Sequence, residues 1–193
     1  MPDDPSNGYE AFAAEFVSGR VRSRVIGVAT VREWARDLPT GGTVLDVGCG
    51  TGIPISETLV QLGLRVHGVD ASPTMIAAFR ARFPKAPSEC APAETAAMLD
   101  GMYDGVVAWG LVFLLAPDTQ ATVIQRMGSA LANGGRLLFT APRETGTWSD
   151  NLTGLTSYSL GREMYERLLR DAGLTLTGSA VDEGGNHYYF ARR

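Results

Sequence analysis

Val44-Leu45-Asp46-Val47-Gly48-Cys49-Gly50-Thr51-Gly52 decides the reading of this chain, because a run of β-favouring apolar residues passes without a break into a glycine turn. Gly48, Gly50 and Gly52 remove Cβ atoms where the backbone must turn sharply, and so allow a ligand to press against the amides. Beyond them Ile53, Ile55, Leu59, Val60 and Leu62 recur at helical spacing, so the turn ends at a helix start whose N–H groups have no internal partner. Strand, glycine turn and helix together predict a binding corner.

The next landmark is a carboxylate. Leu64-Arg65-Val66-His67-Gly68-Val69-Asp70 reads as a second strand ending in an acid about twenty residues beyond the glycines, the offset at which an acid grips ribose hydroxyls. Two nucleoside cofactor classes share this arrangement. The dinucleotide fingerprint requires a third glycine three positions after Gly50, where this chain has Ile53, and the turn carries no lysine for a P-loop.

With Gly68-Val69-Asp70-Ala71-Ser72-Pro73-Thr74-Met75 added, these residues resemble the class I S-adenosylmethionine-dependent methyltransferases. The likeness extends through Tyr103-Asp104-Gly105-Val106-Val107-Ala108-Trp109-Gly110, similar to that family's fourth strand, and through Leu131-Ala132-Asn133-Gly134-Gly135-Arg136-Leu137-Leu138-Phe139, similar to its fifth. Asn133 stands where the family usually has proline, and asparagine tolerates the same turn. The specific motifs lie between residues 40 and 142. The resemblance implies an α/β, Rossmann-like, doubly wound sheet of seven mostly parallel strands in the order 3-2-1-4-5-7-6, with strand 7 antiparallel and N-terminal helices in front.

The element pattern agrees with that expectation. Apolar spacing predicts helices over 10–17 and 21–38, then 53–62, a helix after Ser72-Pro73, a helical turn at 94–99, and helices at 118–131 and 161–172. Further strands are expected at 87–90, 104–108, 136–141, 175–181 and 187–191, the last two flanking the hairpin sequence Asp182-Glu183-Gly184-Gly185-Asn186. The stretch 142–158 shows no period and reads as a long loop. We expect one domain over 1–193, with 1–38 as a helical lid and 39–193 as the core.

Composition fits a compact globular enzyme: 193 residues, 45% hydrophobic, net charge −4, with no apolar run long enough to span a bilayer. The polar start lacks the basic and apolar regions of a secretory signal, which predicts a cytoplasmic protein. Without a lysine or arginine run, nucleic acid is not the expected partner. The two cysteines, Cys49 and Cys90, fit neither a disulfide framework nor a zinc pattern, and no metal site is expected.

For S-adenosylmethionine, with S-adenosylhomocysteine as product, the resemblance implies roles residue by residue. Gly48, Cys49, Gly50 and Gly52 let the backbone approach the methionine part, and Asp46 holds the turn or the cofactor's ammonium. Asp70 accepts from the ribose hydroxyls, Ala71 and Met75 wall the adenine, Ala93 and Glu94 meet its edge, and Trp109 and Gly110 meet the methionine end. Met75 reads equally as core, Glu94 as a helix-start acid and Trp109 as a lid on the core. Methyl transfer needs chiefly alignment and exclusion of water, because the sulfonium is already a good leaving group. If a base is used, His187 is the candidate, since the hairpin it follows emerges at the carboxyl edge; a packing role for it stays open.

The acceptor is expected to meet the 142–158 loop through Trp148 and Tyr158, with Tyr9 of the N-terminal segment closing from above. Strand four ends Ala108-Trp109-Gly110-Leu111, without the acid or Asn and two prolines by which base-methylating enzymes hold an exocyclic nitrogen, so a small molecule is the expected acceptor. Its attacking atom, oxygen, nitrogen or carbon, stays open. A non-catalytic S-adenosylmethionine-binding protein and an NAD(P)-dependent oxidoreductase remain as rival readings.

Overall fold

The computed structural model describes residues 4–15 and 25–193. A seven-stranded sheet runs in the order β3-β2-β1-β4-β5-β9-β8, from β1 (Thr43–Val47), β2 (Arg65–Asp70), β3 (Ser88–Cys90), β4 (Tyr103–Ala108), β5 (Leu131–Thr140), β8 (Thr175–Val181) and β9 (His187–Arg192). Counted without the small hairpin of β6 (Gly146–Ser149) and β7 (Thr156–Ser159), this is the expected order 3-2-1-4-5-7-6. β1 pairs parallel with β2 (Asp46 opposite Gly68) and with β4 (Asp46 opposite Val107). β9 is antiparallel to both β5 and β8.

Alternation along each strand sends apolar side chains to both faces, which is why the motif strands read as near-continuous hydrophobic runs. On one face Leu45, Val106, Leu137, Phe139 and Tyr189 pack against α4 (Pro117–Ser129) through Val123, Ile124 and Met127, and against α5 (Arg162–Asp171) through Tyr165 and Leu169. On the other, Val44, Val66, Val107, Leu138 and Tyr188 meet α1 (Val28–Ala35), α2 (Ile55–Gln61) and α3 (Pro73–Arg82) through Val31, Trp34, Leu59, Ile76 and Phe79. Ser72 caps α3, its hydroxyl accepting from the Met75 amide at 3.1 Å, with Pro73 in the first turn as the sequence predicts.

Four expectations need correction. The 142–158 stretch is not a featureless loop: β6 (Gly146–Ser149) and β7 (Thr156–Ser159) form an antiparallel hairpin with Thr147 opposite Tyr158. Four-residue strands are too short to show a period, and Asp150 Oδ1 orders the bend between them by accepting from the Leu152 and Thr153 amides at 3.0 and 2.8 Å. The turn at 94–99 is a short 3-10 segment, Ala97–Asp100. Near the N-terminus a 3-10 turn at Tyr9–Phe12 leads into helical residues 13–15; the rest of the expected 10–17 helix, Phe16 included, lies outside the described residues, as do residues 21–24 of the second. That second helix ends at Ala35, not at 38. No helix among the described residues is long and apolar enough to cross a membrane.

Candidate functional site

β1, β2 and β4 finish on the same edge, and the glycine turn folds back over it. Gly48 and Gly50 have φ of 74° and 53°, values at which a Cβ costs strain, and a Cβ on Gly48 would lie 3.0 Å from Leu111. The Gly48 and Cys49 amides both donate to the Val69 carbonyl (2.8 and 3.0 Å), locking the turn to the neighbouring strand. Asp70 ends that strand. Its Oδ2 accepts from the Gly50 amide at 2.8 Å and its Oδ1 from the Ser72 amide at 2.9 Å, so the carboxylate spans two turns and is held in one orientation.

Asp46 lies beneath, 2% exposed, with Oδ2 accepting from Ser56 Oγ at 2.6 Å. Burial raises its pKa to about 7, with a further push from the Asp70 charge and a partial offset from the Ser56 hydrogen bond. Burial likewise raises Asp70 above the ordinary carboxylate range, against its two backbone hydrogen bonds, and pushes the Cys49 thiol up. Two carboxyl groups that resist ionisation, set side by side under a cavity, form a place where a positive charge is welcome.

That cavity collects most of the residues singled out in the sequence: Asp46, Gly48, Cys49, Gly50, Asp70, Ala71, Met75, Ala93, Glu94, Trp109 and Gly110 all line it, and so does Tyr9. Gly52 does not. It sits at φ 81° with its Cα against Phe83 and Phe79, where a Cβ would come within 2.3 Å of the Phe83 ring, so its bareness serves packing of α3 against the turn. Sequence reasoning missed Pro5, Ser6 and Asn7, which line the cavity from the N-terminal side, and Ile53, Leu111 and Leu114. The N-terminal segment is clasped in place: Glu10 accepts from the hydroxyls of Ser72 and Thr74 and from the Thr74 amide, and Asn7 Nδ2 donates to the Leu114 carbonyl at 2.5 Å. The Asn7-Gly8 pair, a turn dipeptide with both residues at positive φ, was the available signal.

A second cavity opens beside the first and shares Tyr9, Trp109 and Gly110 with it. Phe113, Thr140, Trp148, Asp150, Asn151, Asn186 and His187 line it further out. Tyr158 lines neither cavity; its carbonyl accepts from Gln120 Nε2 at 3.0 Å. Trp109 thus borders both, and its ring is tied down. Its Nε1–H donates to the Tyr188 hydroxyl at 2.6 Å, which donates to Asp182 Oδ2 at 2.7 Å. Asp182 also accepts from the Gly184 and Asn186 amides and from Asn186 Nδ2, ordering the β8–β9 turn.

His187 follows that turn, 9% exposed, its ring stacked on Tyr189 with centroids 4.8 Å apart. Nδ1 lies 3.1 Å from the Tyr188 carbonyl, an acceptor, so Nδ1 carries the hydrogen and Nε2 keeps a lone pair. Burial lowers its pKa below the usual 6.5, and the Arg143 guanidinium lowers it further, so the ring is neutral at pH 7. Among the described residues no cluster of His, Cys, Asp and Glu is placed to hold a metal ion.

Comparison with known proteins accords with this geometry. Residues 44–135 match the family model described as a methyltransferase domain. The chain is 26% identical over 149 residues to the ubiquinone biosynthesis O-methyltransferase of Xanthomonas axonopodis pv. citri (strain 306), covering 75% of this chain and 54% of that protein; it spans about half the length of this curated relative. Among solved structures, the Burkholderia thailandensis 1,6-didemethyltoxoflavin-N1-methyltransferase, bound to 1,6-didemethyltoxoflavin and S-adenosylhomocysteine, superposes with TM-score 0.69 at 21% identity, over 100% of this chain and 92% of that one. The magnesium protoporphyrin IX methyltransferase of Synechocystis PCC 6803 gives 0.67 at 19% identity, over 96% and 80%. These likenesses establish the fold.

Proposed function

We propose that the chain is a class I S-adenosylmethionine-dependent methyltransferase that transfers the methyl group of S-adenosylmethionine to a nucleophile of a small-molecule acceptor, leaving S-adenosylhomocysteine. The observation that carries this reading is the pair Asp46 and Asp70, two carboxyl groups whose burial has a cost that a bound cation relieves, under a turn bare of side chains at Gly48 and Gly50. A ligand with an ammonium, a sulfonium and a ribose fits that donor set. Asp46 would attract the ammonium through charge, Asp70 would accept from the ribose hydroxyls, and Met75 and Ala71 would flank the base. The cofactor supplies a methyl group already activated on sulfur.

What the protein adds is placement. Trp109, fixed by Tyr188, borders both donor and acceptor cavities, and His187 Nε2 is a group beside the acceptor able to take a proton. In this reading residues 1–193 act as one unit. The N-terminal segment, clasped at Glu10 and lining the donor cavity through Ser6 and Asn7, is a lid that excludes water. A cytoplasmic setting suits two cysteines that stay unpaired, Cys49 buried and Cys90 exposed.

An NAD(P) oxidoreductase is disfavoured by Ile53, which lines the cavity where a pyrophosphate would need a glycine. Calorimetry with S-adenosylhomocysteine, followed by incubation with S-adenosylmethionine carrying a labelled methyl and a metabolite extract, tests the proposal. Heat together with a labelled product supports it. Binding without product across broad extracts favours a non-catalytic binder, and heat with NAD alone overturns the choice of cofactor.

A further inference from the structure

The acceptor cavity is built from aromatic surface contributed by distant parts of the chain. Tyr9 comes from the N-terminal segment, Trp109 from the end of β4, Phe113 from the 3-10 turn Val112–Leu114 beyond it, and Trp148 from the β6–β7 hairpin. Phe113 and Trp148 form one continuous wall, their ring centroids 5.7 Å apart and tilted by 41°. Polar side chains share the lining, among them Thr140, Arg143, Glu144, Asn151 and Asn186. Asp150 is already engaged with its own bend and with the Tyr9 hydroxyl (3.3 Å), so it serves the hairpin more than a ligand. His187 is different: its ring is held flat against Tyr189 and its Nδ1 is committed to the backbone, which leaves Nε2 as an acceptor of fixed direction.

Walls of this kind select shape. A planar π system gains edge and face contacts with aromatic side chains beyond simple area burial, and a puckered ring of the same volume does not. The base selects acidity. A neutral imidazole with a conjugate acid below the usual histidine value can take a proton from a hydroxyl of phenol acidity at moderate cost, whereas an aliphatic alcohol, closer to water in acidity, lies far beyond its reach. An aromatic wall and a directed, neutral base in one cavity therefore favour the same chemical class.

We infer that the methyl acceptor is a planar aromatic compound bearing a phenolic hydroxyl, seated against Trp148 and Phe113 with its hydroxyl presented to His187. This rests on the methyltransferase reading above and specifies its second substrate. In the transfer the hydroxyl proton passes to Nε2, an oxygen lone pair forms the new C–O bond, and the S–CH3 bond breaks with its electrons remaining on sulfur. The products are an aryl methyl ether, a neutral thioether and an imidazolium that returns its proton to solvent.

The test uses 2-naphthol and decahydro-2-naphthol, a flat and a puckered alcohol of similar size. Calorimetry with S-adenosylhomocysteine comes first, on the wild type and on Trp148→Leu, to establish the donor site in both. Binding of each alcohol to the S-adenosylhomocysteine complex is then measured, and methyl ether formation from S-adenosylmethionine is followed by mass spectrometry. We expect 2-naphthol to bind at least about tenfold more tightly than its saturated counterpart, and Trp148→Leu to erase that preference while keeping the donor affinity. Ether should form from 2-naphthol alone, and His187→Ala should remove it. Equal affinity for the two alcohols, or no 2-naphthol binding by protein that does bind S-adenosylhomocysteine, overturns the acceptor class and leaves the donor reading standing. Absence of donor heat overturns both.

Discussion

Replacing Asp46 by asparagine separates what the carboxylate costs the fold from what it gives the ligand. Asparagine has nearly the same shape, and its carbonyl oxygen can still accept from Ser56 Oγ, now 2.6 Å from Oδ2. The carboxyl's pKa rises from 3.8 to about 7 on folding, so between those values the native state holds a proton that the unfolded chain has released. The sign follows: this group's contribution makes the protein less stable as pH rises through that window, and above pH 7 the full cost applies. A shift of roughly three units at 1.36 kcal/mol each sets that cost at about 4 kcal/mol. Asp46→Asn should therefore gain on the wild type as pH rises from 4.5 to 8, by up to on the order of ten degrees in Tm for a chain of this size.

The same variant should bind S-adenosylhomocysteine at least about tenfold more weakly at pH 8, because the ammonium loses its charged partner. Wild-type affinity should itself fall as pH drops below 7 and Asp46 becomes protonated, while the variant's stays flat across that range. Thermal unfolding across pH, with and without the ligand, reads both effects. A Tm difference between variant and wild type that is the same at pH 4.5 and pH 8 would refute the reasoning.

Other substitutions probe separate parts of the site. His187→Ala should keep cofactor affinity and lose turnover; unchanged turnover retires the base assignment. For the wild type at saturating S-adenosylmethionine, the depressed histidine pKa means turnover should already be on its plateau at pH 7 and fall only as the pH drops below the usual histidine value. Tyr188→Phe strips the middle hydroxyl from the Trp109–Asp182 chain and so removes two buried hydrogen bonds, at a cost of about 1–3 kcal/mol readable in urea midpoints. Gly52→Ala, forced to φ 81° with its new methyl against the Phe83 ring, should destabilise by at least about 1 kcal/mol; a neutral result would mean the turn is looser than its packing indicates.

The fold was legible where sequence and geometry share a period. Leu45 and Val47 face one helical layer and Val44 the other, so β1 reads as a buried parallel strand, and the acid at its neighbour's tip needs only a count. Side-chain direction was not legible. Three glycines look alike in the motif, yet Gly48 and Gly50 line the cavity while Gly52 packs against Phe83. The outer cavity was half seen, because Trp148 and Tyr9 are conspicuous rings, whereas nothing in the sequence sets Phe113 apart and Tyr158 sits in β7 away from both cavities. The Trp109–Tyr188 pairing, 79 residues apart in the chain, leaves no local pattern at all.

A shared ring makes the two chambers unequal targets for redesign. Trimming Trp109 to admit bulkier acceptors would also remove a panel from the donor's side and leave the Tyr188 hydroxyl facing a void. The hairpin bearing Trp148 borders only the outer chamber, so room can be made there without touching the seat of the nucleoside. Variation in acceptor taste among chains built this way should accumulate in that hairpin, and the tryptophan between the chambers should resist change.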